Sequence, residues 1–203
     1  MVRRLLVYLL LDTSGSMKGA PVESIKLGID NMLSSLKMDP FALENLNLSI
    51  ITFDREVNET LPMTKLEGLV LPEMKANEIN LSNLGMALEF LYRRCDQELI
   101  RSTSTTRGDW KPLLFLLSSK EPSDLAKYRE IIPKVKSLGF RHIIACAAGL
   151  KANPDSLKLL TKKVVQLGNS DSHSFRQFFK WVSEIICKTL FPSESIWPYS
   201  AKI

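Results

Sequence analysis

Leu5-Leu6-Val7-Tyr8-Leu9-Leu10-Leu11 contains no charged residue and stops abruptly at Asp12. A strand with one wetted face alternates apolar and polar side chains. This run does not, so it reads as a strand covered on both faces, as in a parallel sheet. Residues 48–53, 112–118 and 143–147 are apolar stretches of similar length. Between them the period changes to that of helices. Ile25, Ile29, Met32, Leu33 and Leu36 follow Pro21 at helical spacing, and Asp39-Pro40 is expected to close that helix.

The rest of the chain continues the alternation. Asp54-Arg55-Glu56 predicts a tight turn into residues 57–61, a hairpin partner and edge strand. Residues 62–80, with Pro62 and Pro72, read as irregular. Leu84, Ala87, Leu88, Leu91, Tyr92 and Cys95 mark a second long helix, and the Thr/Ser-rich stretch 102–109 reads as a surface loop. Further helices are predicted at about 125–138, from Pro154 to about Thr161, and through Phe175, Phe178, Phe179, Val182, Ile185 and Ile186, with a short strand at 164–167. The prediction is an α/β fold: a three-layer, doubly wound, mostly parallel sheet with one antiparallel edge strand and helices on both faces. Residues 1–190 form one domain in this reading. Residues 191–203, with two prolines and Trp197, form a poorly ordered tail.

Composition removes several classes. The 203 residues are 45% hydrophobic and 24% charged, which suits a soluble globular domain and excludes disorder and disulfide scaffolds. No apolar run reaches the ~20 residues of a membrane span, so no membrane association is expected. The net charge of +5 is spread along the chain, with Arg3-Arg4, Arg93-Arg94 and Lys162-Lys163 as the local pairs, and nucleic acid is not the expected partner. Cys95, Cys146 and Cys187 lack metal or redox spacing and read as buried thiols in a reducing, cytoplasmic setting. Arg3-Arg4 and the apolar run imitate a signal peptide. Asp12 interrupts the pattern, and the segment is expected to be retained.

Ligands of open parallel sheets bind beyond the carboxyl ends of the strands. There the first strand delivers Asp12-Thr13-Ser14-Gly15-Ser16-Met17. A carboxylate and two hydroxyls at alternate positions of a tight turn can converge on one hard cation, and such oxygen donors suit Mg²⁺. The alternative is that Asp12 and the serines only cap the following helix. An enzymatic triad is not expected. His142 precedes a strand, His173 starts the last helix, and Ser14 lacks the neighbours of a nucleophile elbow. Trp110, beside Asp109, is either an interface anchor or packed beneath a loop.

Strand, then Asp-x-Ser-x-Ser, then helix resembles the start of a von Willebrand factor type A domain and the first segment of its metal-ion-dependent adhesion site. The segments 8–17, 48–54, 108–115, 145–149 and 178–182 are similar to the tellurium-resistance TerY-type bacterial proteins, and the resemblance runs to about residue 190. It implies a Rossmann-like fold and a protein-interaction module rather than an enzyme. It also implies a bound Mg²⁺ whose open position takes an acidic side chain of a partner, and a phosphatase or kinase encoded nearby as that partner.

The resemblance also assigns the site: Asp12, Ser14 and Ser16 from the first segment, Ser82 in place of the usual threonine, and Ser119 in place of the usual aspartate. Lys120 stands where the family has glycine. The third segment therefore loses a carboxylate and gains an ammonium, so Mg²⁺ is expected at low occupancy. Two placements of Lys120 are open. Either its ammonium fills the site against Asp12, or it points to solvent and Glu121 or a water completes a weak site.

Overall fold

The computed structural model describes residues 3–149, 152–168 and 171–191. The predicted tail from Pro192 onward, with Trp197, lies outside the described residues. The all-apolar run forms β1 (Leu5–Asp12), buried along its whole length. It is followed by a 3₁₀ turn at Gly15–Met17 and by α1 (Ala20–Lys37), with Pro21 in its first turn. After α1 come α2 (Pro40–Asn45), β2 (Leu46–Phe53), β3 (Val57–Lys65) and α3 (Leu84–Glu98). Then follow β4 (Leu113–Ser118), α4 (Leu125–Ser137), β5 (His142–Ala148), α5 (Pro154–Lys158), β6 (Val164–Leu167) and α6 (Ser172–Leu190).

Among the described residues these strands form one six-stranded sheet in the order β3-β2-β1-β4-β5-β6. β3 is antiparallel to β2, and every other neighbouring pair is parallel. β1 is therefore central. Its side chains divide by parity. Leu5, Val7, Leu9 and Leu11 pack with residues of α1 and α6 on one face. Leu6, Tyr8 and Leu10 pack with residues of α3 and α4 on the other. That division is why the run carries no polar alternation. A buried Leu contributes about 1.5–3 kcal/mol, so the leucines of β1 are a major source of cohesion between the layers.

Two local predictions needed revision. Asp39-Pro40 does follow the end of α1, but it also starts α2. The Asp39 carboxylate accepts from the N–H groups of Phe41 and Ala42, and Pro40 sits at the first helical position, where its missing N–H costs nothing. β3 runs past Pro62 to Lys65. The β2–β3 register shifts between Leu48 and Ile50, opposite Pro62 and Met63, and such an irregularity on an edge strand accommodates a residue without an N–H. Trp110 packs against the core beneath Phe41, with ring centroids 6.0 Å apart.

The chain leaves β1 toward β2 on one side and returns to β4 on the other. Asp12 pairs with Phe53, and Leu11 with Leu117, so the ends of β1, β2 and β4 lie level. The loop after β1 leads to α1 on one face, and the loop after β4 leads to α4 on the other. Where such connections diverge, a crevice opens at the strands' carboxyl ends.

Candidate functional site

Asp12, Ser14, Ser16, Ser82 and Ser119 meet in that crevice. Asp12 is fully buried, and its Oδ1 accepts from the backbone N–H of Ser14 at 2.9 Å. Oδ2 accepts from the Ser82 hydroxyl at 3.2 Å and from the Ser119 backbone N–H at 2.9 Å. It also accepts from the Ser119 hydroxyl at 2.7 Å. The Ser16 and Ser119 hydroxyl oxygens are 2.7 Å apart, and Ser14 Oγ lies 3.2 Å from Ser16 Oγ and 3.4 Å from Ser119 Oγ.

A hydroxyl carries one proton. Ser119 gives its proton to Asp12, so across the 2.7 Å contact Ser16 is the donor and Ser119 the acceptor. The chain of donation runs inward from exposed Ser16 through Ser119 to buried Asp12. The outer face of Ser16 is left with lone pairs, which suit a cation or an N–H group.

The donor set is all oxygen, one carboxylate and four hydroxyls, and in kind it fits a hard divalent ion. It is poor in charge. Among the described residues, no three His, Cys, Asp or Glu side chains gather into a metal-sized group.

Lys120 adopts neither of the two placements considered from the sequence. Its ammonium reaches sideways to Asn80, donating to the backbone carbonyl and, at 2.9 Å, to the side-chain Oδ1. Burial pushes its pKa down, and the nearby charge of Asp12 partly offsets that. Among the described residues, Lys120 has no carboxylate within ion-pair distance.

Several positioning residues escaped the sequence reading. Asp54, at the end of β2, accepts from the Thr13 hydroxyl at 3.2 Å and from the Glu56 N–H at 2.9 Å, while its carbonyl takes the Asn83 N–H at 2.8 Å. It thus ties the first segment to the one carrying Ser82. Asp124 precedes α4 but caps α3: its carboxylate accepts from Gly85 N–H at 3.0 Å and Met86 N–H at 2.8 Å. Ser123 joins Ser82 through a reciprocal pair, Ser82 N–H to Ser123 Oγ at 2.9 Å and Ser123 N–H to Ser82 carbonyl at 2.8 Å. A carboxylate at a strand end was the available signal for Asp54. Asp124 carries the signature of a cap for its own helix, and nothing local points to its use on another.

His142 lies at the opposite, amino end of the sheet. Its Nδ1 is 2.7 Å from Lys163 Nζ, and its pKa is pushed down to about 4 by burial and then by Lys163 and Arg141. His173 is exposed in the first turn of α6. Neither histidine meets the serines.

Residues 7–179 match the von Willebrand factor type A domain. The chain belongs to that family. No curated protein matches it in sequence. Similar solved structures share the fold at low identity. Proximal thread matrix protein 1 from the mussel byssus, in a form with a zinc-occupied MIDAS motif, is 14% identical with a TM-score of 0.67, over 92% of this chain and 48% of that one. The pilus adhesin SpaC from Lactobacillus rhamnosus GG is 11% identical with a TM-score of 0.74, over 93% of this chain and 30% of that one. The conserved hypothetical protein BatB from Bacteroides thetaiotaomicron is 16% identical with a TM-score of 0.57, over 91% and 98%. This type A domain chain thus spans half or less of the mussel protein and of the adhesin. The family is one whose domains often mediate protein interaction or adhesion. Among the described residues, no helix is long and apolar enough to cross a membrane.

Proposed function

We propose that this type A domain is a protein-interaction module that docks a partner at the rim formed by Asp12, Ser14, Ser16, Ser82 and Ser119. The observation that carries the reading is the inward relay from exposed Ser16 to buried Asp12 at the switch point of the sheet. The relay leaves an acceptor face open to a visitor. The solved structures of similar fold include a pilus adhesin and a mussel thread protein with a zinc-occupied MIDAS motif.

Asp12 and the four serines are the groups that would hold Mg²⁺, and a bound ion would offer an open position to a partner's carboxylate. With one carboxylate in the set, occupancy is low. The domain is not an enzyme in this reading: neither histidine meets the serines, and the carboxylate beside them, Asp12, is taken up by hydrogen bonds from Ser14, Ser82 and Ser119. The resemblance to the tellurium-resistance proteins extends the proposal to a cytoplasmic bacterial stress system with a phosphatase or kinase partner. Nucleic acid is not the target in this reading, since the basic pair Arg93-Arg94 lies on α3 and Lys162-Lys163 in the loop before β6.

The test is affinity purification from the native host with wild-type and Ser16→Trp baits, read by quantitative mass spectrometry. Ser16 is exposed, so the indole blocks the rim without entering the core. A partner recovered with the wild type and lost with Ser16→Trp supports the rim. An identical set from both baits moves the interface elsewhere.

A further inference from the structure

At the amino end of the sheet, three basic side chains from two adjacent strands crowd together. His142 begins β5, and Lys163 immediately precedes β6, the next strand in the sheet. Lys163 Nζ lies 2.7 Å from His142 Nδ1. Arg141 is exposed, and its charge acts on both His142 and Lys163. Among the described residues, Arg141 forms no ion pair, and the charges that act on His142 are both positive. The contact also fixes the tautomer. An ammonium has no acceptor, so Nδ1 holds the lone pair and the ring proton sits on Nε2. Among the described residues, Nε2 has no hydrogen-bond partner, and no buried side-chain nitrogen lacks one, so Nε2 opens to solvent. The ammonium on Nδ1 polarises the ring and makes the Nε2 N–H a stronger donor.

We propose that Arg141, His142 and Lys163 form a binding site for a phosphate monoester, at the end of the sheet opposite the serine rim and independent of it. The cluster offers N–H donors against a positive field, which refuses a metal ion and suits an oxyanion. The guanidinium fork matches two phosphate oxygens, and the Nε2 N–H supplies a further donor. Arg141 and Lys163 carry two positive charges, and a monoester carries about −1.5 to −2 near neutrality, so the charges balance. A carboxylate or a phosphodiester brings a single charge and is the weaker ligand.

The chain has two histidines, so each ring can be followed by NMR, with His173→Gln assigning the signals. Four probes are titrated into the full chain at constant ionic strength: inorganic phosphate, the peptide Ala-phosphoserine-Ala, the peptide Ala-Asp-Ala and oligothymidylate. Inorganic phosphate or the phosphopeptide should shift the His142 signals saturably and leave those of His173 in place. Affinity should fall about three- to tenfold in Arg141→Gln and in Lys163→Gln, with melting temperatures equal to wild type showing that both variants fold. Tighter binding of the phosphopeptide names a phosphorylated protein as the source of the group, and tighter binding of inorganic phosphate names a small free phosphate. Either result supports the site. No saturable shift with either phosphate probe overturns it. So does Ala-Asp-Ala binding equally well, oligothymidylate binding more tightly at the same ring, or phosphate affinity unchanged in Arg141→Gln or Lys163→Gln.

Discussion

Asp12 holds Ser119 twice. One carboxylate oxygen, Oδ2, accepts both the Ser119 backbone N–H at 2.9 Å and the Ser119 hydroxyl at 2.7 Å. This pair joins the carboxyl ends of β1 and β4. A serine here serves as a donor to Asp12, where an aspartate would repel it. On the proposed reading, a serine in place of the family's aspartate exchanges affinity for an ion for internal cohesion.

Replacing Ser119 by Asp and Lys120 by Gly reverses that exchange. Two carboxylates then face each other in a buried crevice, so the metal-free double variant should be less stable than wild type. With about 1 mM Mg²⁺ its melting temperature should rise, because an ion that binds only the folded state stabilises it by mass action. Its Mg²⁺ affinity should exceed that of wild type by about 30- to 1,000-fold. Calorimetric titration of both proteins checks this. Equal dissociation constants would show that positions 119 and 120 do not govern the site.

Asp12→Ala should cost stability as well as any binding. The carboxylate is the acceptor for two backbone N–H groups, those of Ser14 and Ser119, in a site closed to water. Orphaning them costs about 1–3 kcal/mol each, so a loss of about 2–4 kcal/mol is expected after local relaxation. Ser16→Ala, at the exposed end of the relay, should cost less than about 1 kcal/mol. Urea unfolding of the two variants separates the outcomes. If Asp12→Ala proves as stable as Ser16→Ala, the hydrogen bonds to Asp12 are not structural.

Gly15→Ala tests how segment 77–80 is seated on the first loop. A Cβ at position 15 would lie 2.8 Å from the Glu78 carbonyl oxygen, a backbone atom that cannot swing aside. The segment 77–80 must then move off the first loop, carrying Asn80 away from Lys120. A destabilisation of about 1–3 kcal/mol is expected. Faster hydrogen exchange should appear at the Gly15 and Asn77 amides, which donate to Ile79 and Thr13. Unchanged protection at both amides would refute the close packing.

Much of this was legible because burial leaves a plain trace in sequence. β1 announced itself by seven side chains that all needed cover, and Asp12 by breaking that run at the sheet's rim. The hairpin and long helices followed from period and turn residues. α2 was not legible, because Asp39-Pro40 signals a helix end and a helix start equally well. The Lys120–Asn80 bond joins residues forty positions apart in loops without period, and no sequence pattern places them together. Asp124 stands at the N-cap of α4, while its carboxylate serves α3 across the helix pair. What sequence supplied poorly was long-range pairing of polar groups, which depends on how loops settle after the layers pack.

The last prediction concerns His142, whose Nδ1 faces Lys163 Nζ at 2.7 Å. That contact requires a neutral ring, with Nδ1 accepting from the ammonium. Burial, followed by Lys163 and Arg141, pushes its pKa from 6.5 down to about 4. In the unfolded chain the ring protonates near its ordinary value. Between these limits the unfolded state binds a proton that the folded state refuses, so stability falls as pH drops from neutrality toward about 4. Below that value both states carry the proton and the loss levels off. Because the ring is only half-buried, solvent screening reduces the expected effect to about 1 kcal/mol. His142→Gln cannot titrate, so it should lose less stability than wild type between about pH 7 and about pH 5. Carboxylates such as Glu89, whose pKa is lowered by Lys127, fall alike in both proteins and cancel in the comparison. Urea unfolding of the two proteins at both pH values measures the difference. Parallel losses would mean that His142 accepts its proton in the folded state as readily as in the unfolded one.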